Sequence, residues 1–370
     1  MPRNASPSLH EQVYETAGQR RHNVHSPAPR APQFRGFSMT RTFWLQTGSL
    51  ADCSVVRRFL AVRDASLEFV RSLLILLSRR KLLRRWMETS SLARRFAARF
   101  VAGSELDQAL AVSRDLNAEG ATVTLDHLGE SISSLQEAAA ARDVYLHTLS
   151  AIHDRGIQGN VSLKLSQFGI DLSAAECRGN VGQLVEQAAA LKGFVRVDME
   201  SSEYVDRTLD LVCDLHARYG AVGTVIQAYL YRSRADIEKL NALGIRVRLC
   251  KGAYLEQAGV AFPQKAQVDR NYVELMQLLL DKGTYPAIAT HDEKMIAATK
   301  EYATSRHLPP DAFEFQMLYG IRRDLQRQLA QDGYRVRIYV PFGKAWYPYY
   351  MRRLAERPAN VLFILRNMFR

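Results

Sequence analysis

The chain has 370 residues, 47% of them hydrophobic, which allows one large domain with an extension and a sizeable core. Its net charge of +12 points to anionic partners without choosing among them, and no apolar run approaches the roughly 20 residues a membrane-spanning helix needs. Four scattered cysteines (Cys53, Cys177, Cys213, Cys250) show no CxxC or Cys/His spacing, which argues against a disulfide framework or zinc site and for a reducing compartment.

Residues 1–38, rich in Pro, Ser, Arg and His, read as a disordered tail. Their basic, acid-poor composition suits a transit peptide; an upstream mis-start, with Met39 the true beginning, fits as well. Residues 39–118 read as an N-terminal helical segment. Within it, RRKLLRRWMETSSLARRFAARF (79–100) interleaves eight basic residues with Leu, Trp and Phe. It predicts an amphipathic helix with a solvated basic face, with a membrane-surface or nucleic-acid contact as the alternative.

From residue 121 the chain changes character. Eight short β-branched runs recur between helical stretches: 121–126, 160–166, 194–199, 223–228, 245–252, 286–291, 313–318 and 335–340. Strands alternating with helices predict βα units in a parallel sheet, and eight is the count that closes a (βα)8 TIM-type barrel. The fold class is therefore α/β, a distorted barrel over 119–365 with an N-terminal helical extension.

Successive strand residues face opposite sides. One parity is apolar (Val123, Leu125, Val161, Leu163, Val195, Val197, Val247, Leu249, Val336, Ile338) and should pack on the outer helices. The other is polar, so the interior should hold three acids (Asp126, Asp198, Glu314) against five bases (Lys164, Arg196, Arg246, Arg248, Arg337). Buried charge is costly unless paired, so the positive surplus predicts a bound anion at the barrel mouth.

In such a barrel the site lies at the C-terminal ends of the strands. Those ends carry Asp126, Lys164, Asp198, Gln227, Arg248 with Lys251, Thr290 with His291, Gln316 with Leu318, and Tyr339. A last helix then brings Tyr349, Arg352, Arg353 and Glu356 to the same rim. Their separations of three and four residues let helical side chains meet, so Glu356 can orient one guanidinium while another faces the pocket. Arginine forks suit carboxylates and phosphates. No metal-ligand spacing and no GxGxxG or Walker loop occurs.

These residues resemble the proline dehydrogenase (proline oxidase) family. The matching stretches are FVAGSELDQAL (100–110), LDHLGES (125–131), VSLKLSQFGID (161–171), VDMES (197–201), VIQAY (225–229), RLCKGAY (248–254), IATHD (288–292), EFQMLYG (314–320), RIYVPFG (337–343) and YYMRRLAE (349–356). They fall in the family's order and spacing. The resemblance implies non-covalent FAD and oxidation of L-proline to Δ1-pyrroline-5-carboxylate, with electrons passing to a membrane quinone. It implies that Lys164, Arg352 and Arg353 clamp the proline carboxylate, while Tyr254, Leu318, Tyr339 and Tyr349 enclose the ring. Asp198, Gln227 and Arg248 match flavin-ring contacts, Lys251, Thr290 and His291 further cofactor positions, and Asp126 and Glu356 supporting acids.

Two positions depart from the family pattern: Leu255 where many relatives carry an aromatic residue, and Cys250 where Val is usual. With the chain ending at 370, the monofunctional form is expected. No nucleic-acid partner is expected. Localisation should be cytoplasmic, with a peripheral inner-membrane contact through 79–100, or mitochondrial if the tail is a transit peptide. The rival readings are a Schiff-base aldolase using Lys164 or Lys251, and a basic membrane- or nucleic-acid-binding scaffold.

Overall fold

The computed structural model describes residues 90, 97–129, 132–347 and 349–351. The readings for 1–38, for most of 39–118 with the greater part of 79–100, and for Arg352, Arg353 and Glu356 lie outside the described residues.

Helix α1 (Leu106–Ala118) precedes the first strand. Strands β1 (Thr122–His127), β2 (Gly159–Leu163), β3 (Val195–Val197), β4 (Val222–Gln227), β5 (Val247–Cys250), β6 (Ala287–Ala289), β7 (Glu314–Leu318) and β8 (Arg335–Phe342) follow in order. Between them run α2 (Leu135–Asp154), α3 (Ala174–Ala190), α4 (Val205–Tyr219), α5 (Ser233–Ala242), α6 (Lys265–Lys282), α7 (Glu293–Ser305) and α8 (Arg323–Gln331). All eight strands pair in parallel and β8 closes on β1, giving the (βα)8 barrel that the sequence rhythm implies.

Local chemistry sets several helix starts. Ser134 and Ser173 each accept a hydrogen bond from the backbone N–H three residues on, at Glu137 and Glu176. Asp292 does the same for Lys294 N at the start of α7. At the other end, Gly220 adopts φ +70 and stops α4, a conformation that costs glycine little.

The outward strand parity is apolar and wholly enclosed: Val123, Leu125, Val161, Leu163, Val195, Val197, Leu249 and Ile338 are fully buried. They pack on helix faces such as Leu209, Val212 and Leu215 of α4, forming the main core as a ring between sheet and helices. This burial is the dominant favourable term in folding.

The inward parity is polar, and the register fixes its layers. Thr124 stands opposite Tyr339, Ser162 opposite Arg196, and Gln316 opposite Arg337. Gly223 stands opposite Arg196 and has no room for a side chain. A Cβ there would overlap the Arg246 carbonyl and lie 2.8 Å from the Phe194 ring.

Candidate active site

Charge pairing at the C-terminal mouth is dense. Tyr339 Oη lies 2.7 Å from Asp126 Oδ2 and 2.9 Å from Asp198 Oδ2, so its one proton serves two carboxylates. Lys164 Nζ donates to Asp126 Oδ2 at 3.2 Å and stands 4.0 Å from Asp198. Arg248 donates to Asp198 Oδ1 at 2.6 Å and to Gln316 Oε1 at 2.5 Å. Ser162 also donates to Asp198 Oδ1, at 2.6 Å. Burial, with Asp126 and Asp198 beside it, holds the Tyr339 phenol well above its ordinary pKa, so it keeps its proton.

The network continues down the barrel axis. Gln316 donates to Glu314 at 2.5 Å, and Arg337 grips the same carboxylate at 2.8 and 3.0 Å. Burial alone would raise the Glu314 pKa, but Arg337, Gln316 and Arg196 together bring it below its ordinary value.

Arg337→Met should therefore lower stability at neutral pH, because it strands a buried carboxylate. A carboxyl with a depressed folded pKa stabilises above its unfolded value, 4.5, and loses that contribution as pH falls through the folded pKa. The urea midpoints of variant and parent should thus converge as pH drops below 4.5. A gap that is constant with pH contradicts this pairing.

The positive surplus is not where the sequence count put it. Lys164, Arg248 and Arg337 pair with Asp126, Asp198 and Glu314, leaving Arg196 and Arg246 over. Arg196 is 2% exposed and donates Nη1 to the Thr224 and Arg246 carbonyls. Arg246 is exposed at the opposite, N-terminal end of the barrel. Register explains the shift: Arg246 precedes β5, so its side chain emerges below the lining. At the described mouth, Lys164 and Arg248 are thus matched by Asp126 and Asp198.

The other sequence candidates are distributed around the rim. Gln227 is buried and donates to the Glu200 carbonyl at 2.8 Å. Lys251 joins Asp269 and Asp292, at 2.5 and 2.7 Å. Thr290 Oγ1 accepts from Asp292 N, and His291 Nε2 accepts from Leu318 N at 2.9 Å, so that ring nitrogen carries no proton. Tyr349 is buried in the helical stretch after β8. Tyr254 and Leu255 are exposed on the loop after β5, the latter to 77%. The Cys250 thiol is pushed up to about 12 by burial, which makes it inert packing.

Ser162 and Gln316, both on the polar inward parity that the sequence shows, bridge the charged residues. One contributor, Tyr145, escapes the sequence reading, because it lies on the apolar face of an outer helix. From α2 it reaches between strands, with its hydroxyl 2.8 Å from the Ser162 carbonyl and 3.1 Å from Asp126 Oδ1.

Whether the mouth can take an electron-rich ring is tested by its donors. Arg248 is 7% exposed, and its Nη2 is buried without a hydrogen-bond partner among the described residues. A buried donor of this kind is costly unless a bound acceptor satisfies it. The residues therefore fit a flavin.

A family model described as proline dehydrogenase matches residues 109–366. Proline dehydrogenase 2 of Bacillus subtilis (strain 168) is 41% identical over 272 residues, covering 74% of this chain and 90% of that protein. Proline dehydrogenase of Deinococcus radiodurans is 43% identical over 283 residues, covering 74% and 90%. Among solved structures, proline utilization A from Bdellovibrio bacteriovorus, inactivated by N-propargylglycine, superposes with a TM-score of 0.67 at 28% identity. That match covers 71% of this chain and spans about a third (32%) of the larger one.

Proposed function

The chain belongs to the proline dehydrogenase family, and from that premise we propose that it oxidises L-proline to Δ1-pyrroline-5-carboxylate on non-covalently held FAD and passes the electrons to a membrane quinone. The observation that carries this reading is the mouth network from Lys164 through Asp126, Tyr339 and Asp198 to Arg248, with a buried Arg248 donor left over.

Asp198, Gln227 and Arg248 would hold the flavin ring, and Lys251, Thr290 and His291 further parts of the cofactor. When bound, FAD supplies a two-electron acceptor for a hydride from the carbon beside the proline nitrogen. Lys164, 15% exposed at its side chain, offers one cation to the substrate carboxylate. Because Asp126 and Asp198 neutralise Lys164 and Arg248, the net positive charge of the clamp falls to Arg352 and Arg353. Glu356 would orient one of them. Tyr339, Tyr349, Leu318 and Tyr254 wall the ring, exclude water and hold it face-on, which converts encounter into a near-attack geometry.

The basic segment 79–100 would contact the acidic bilayer from which quinone is drawn, on the cytoplasmic side. No helix among the described residues is long and apolar enough to cross a membrane. A Schiff-base aldolase would need a lysine that releases its proton readily. Burial pulls the Lys251 pKa down, but Asp269 and Asp292 more than offset it and the net shift is upward.

The test is proline-dependent reduction of a soluble quinone analogue, with the cyclic imine product trapped by o-aminobenzaldehyde. Imine formed from L-proline in step with quinone reduction is expected. Quinone reduction without imine, or no reduction at all, overturns the reading.

A further inference from the structure

The cations left unpaired by the charge count gather at the other end of the barrel. A pocket of about 500 Å³ opens there, between the starts of β1 to β5 and the ends of α3 and α4. Lys192, Arg246 and Arg337 line it, and none of its lining residues is a carboxylate. Lys192 and Arg246 are exposed, and neither has a carboxylate partner among the described residues. Arg246 is nonetheless held in place, with its guanidinium carbon 5.2 Å from the Phe194 ring centroid and 5.4 Å from that of Tyr285. Arg196 stands against the same Phe194 ring at 4.9 Å, from inside the barrel.

Helix-end neutralisation does not absorb all of these charges. The C-terminal carbonyls of α3 and α4 open at this face, and each helix end is equivalent to about half a negative charge, which favours a nearby cation. Lys192 answers α3, while Arg218 in the last turn of α4, which also pairs with Asp214 at 2.8 Å, answers α4 in part. Arg246 then remains in excess, backed by the unpaired Arg196. Burial first, then Arg248 and Arg337 close by, lowers the Arg196 pKa to about 9, with Glu314 and Asp198 offsetting only part of the shift. Gly223 lets Phe194 and Arg196 lie close against the β4 backbone, since any side chain there would overlap the Arg246 carbonyl.

We infer that this pocket at the N-terminal end of the barrel binds a small dianionic oxyanion, a phosphate ester or a dicarboxylate, between Lys192 and Arg246. Polar Asn160 and Gln158 line the same wall and can complete its hydrogen bonds. Its size matches a metabolite rather than a macromolecule. The site is independent of the proline site: Arg337 is the only residue of the axial network that reaches it.

The experiment uses the full chain with its cofactor, saturated with a non-reactive proline analogue so that the mouth is closed to other anions. Calorimetric titration with inorganic phosphate, and separately with glutarate, is run at constant ionic strength. Saturable binding of one anion per chain is expected for at least one probe, and the better probe tells ester from dicarboxylate. Arg246→Gln and Lys192→Gln should each weaken it by about tenfold or more. Arg114→Gln, an equal charge change on exposed α1, should not. Proline turnover without added anion should be the same in all three variants, which excludes misfolding. No saturable binding of either probe overturns the proposal. So does equal weakening by Arg114→Gln, which would mark diffuse attraction to a basic protein.

Discussion

Arg352→Ala and Arg353→Ala are each expected to raise KM for L-proline by about tenfold or more, with flavin content unchanged. The size follows from the charge balance at the mouth. Lys164 stands within 3.2 Å of Asp126 and 4.0 Å of Asp198, so much of its charge is already engaged. A small zwitterion has few apolar atoms to bind by, and a bidentate guanidinium fixes a carboxylate more firmly than a lone ammonium. Lys substitutions at 352 and 353 should recover only part of the loss, since a point charge replaces a planar fork. Steady-state kinetics with L-proline check this directly; KM unchanged in both alanine variants removes the arginine pair from the clamp.

The second large effect is expected at Arg248. Its guanidinium spans Asp198 at 2.6 Å and Gln316 at 2.5 Å inside the barrel. Arg248→Met leaves Asp198 buried without its closest cation, which should cost about 3–5 kcal/mol of stability. On the proposed placement of the flavin it would also remove a donor to the reduced ring, and losing one such donor typically lowers turnover by about 10²–10³. The two effects separate in the double variant Arg248→Met, Asp198→Asn. There the stranded charge is gone and the unfolding midpoint should recover, while flavin retention and the rate of anaerobic reduction stay low. Recovery of both would mean that Arg248 serves the fold alone.

Much of this architecture was legible in the sequence because period-2 patterning states which face of a strand is buried. Val123, Leu125, Val161 and Leu163 named the outer face, and Thr124, Asp126 and Ser162 the inner one. Strand order followed from eight βα units and the closure rule. Pairing was less legible. Counting charges gave a surplus, but only the register shows that Arg246 emerges at the far end of β5 from the mouth. The partners of Arg196 are backbone carbonyls, which carry no sequence signal. Tyr145 was invisible for a similar reason, since nothing local distinguishes a core tyrosine from one whose hydroxyl passes between strands to a carboxylate. The site candidates came mainly from the ordered family motifs, since spacing alone does not say which rim residues share one pocket.

The central claim, a barrel mouth that holds a flavin and delivers proline to it, is tested most directly by anaerobic titration of the purified full chain with L-proline. The expected result is a yellow protein whose visible absorbance bleaches with about one equivalent of reducing substrate per flavin, and recovers its colour on addition of a quinone analogue. A chain that retains no flavin on reconstitution, or a yellow protein that L-proline leaves unbleached, would contradict it.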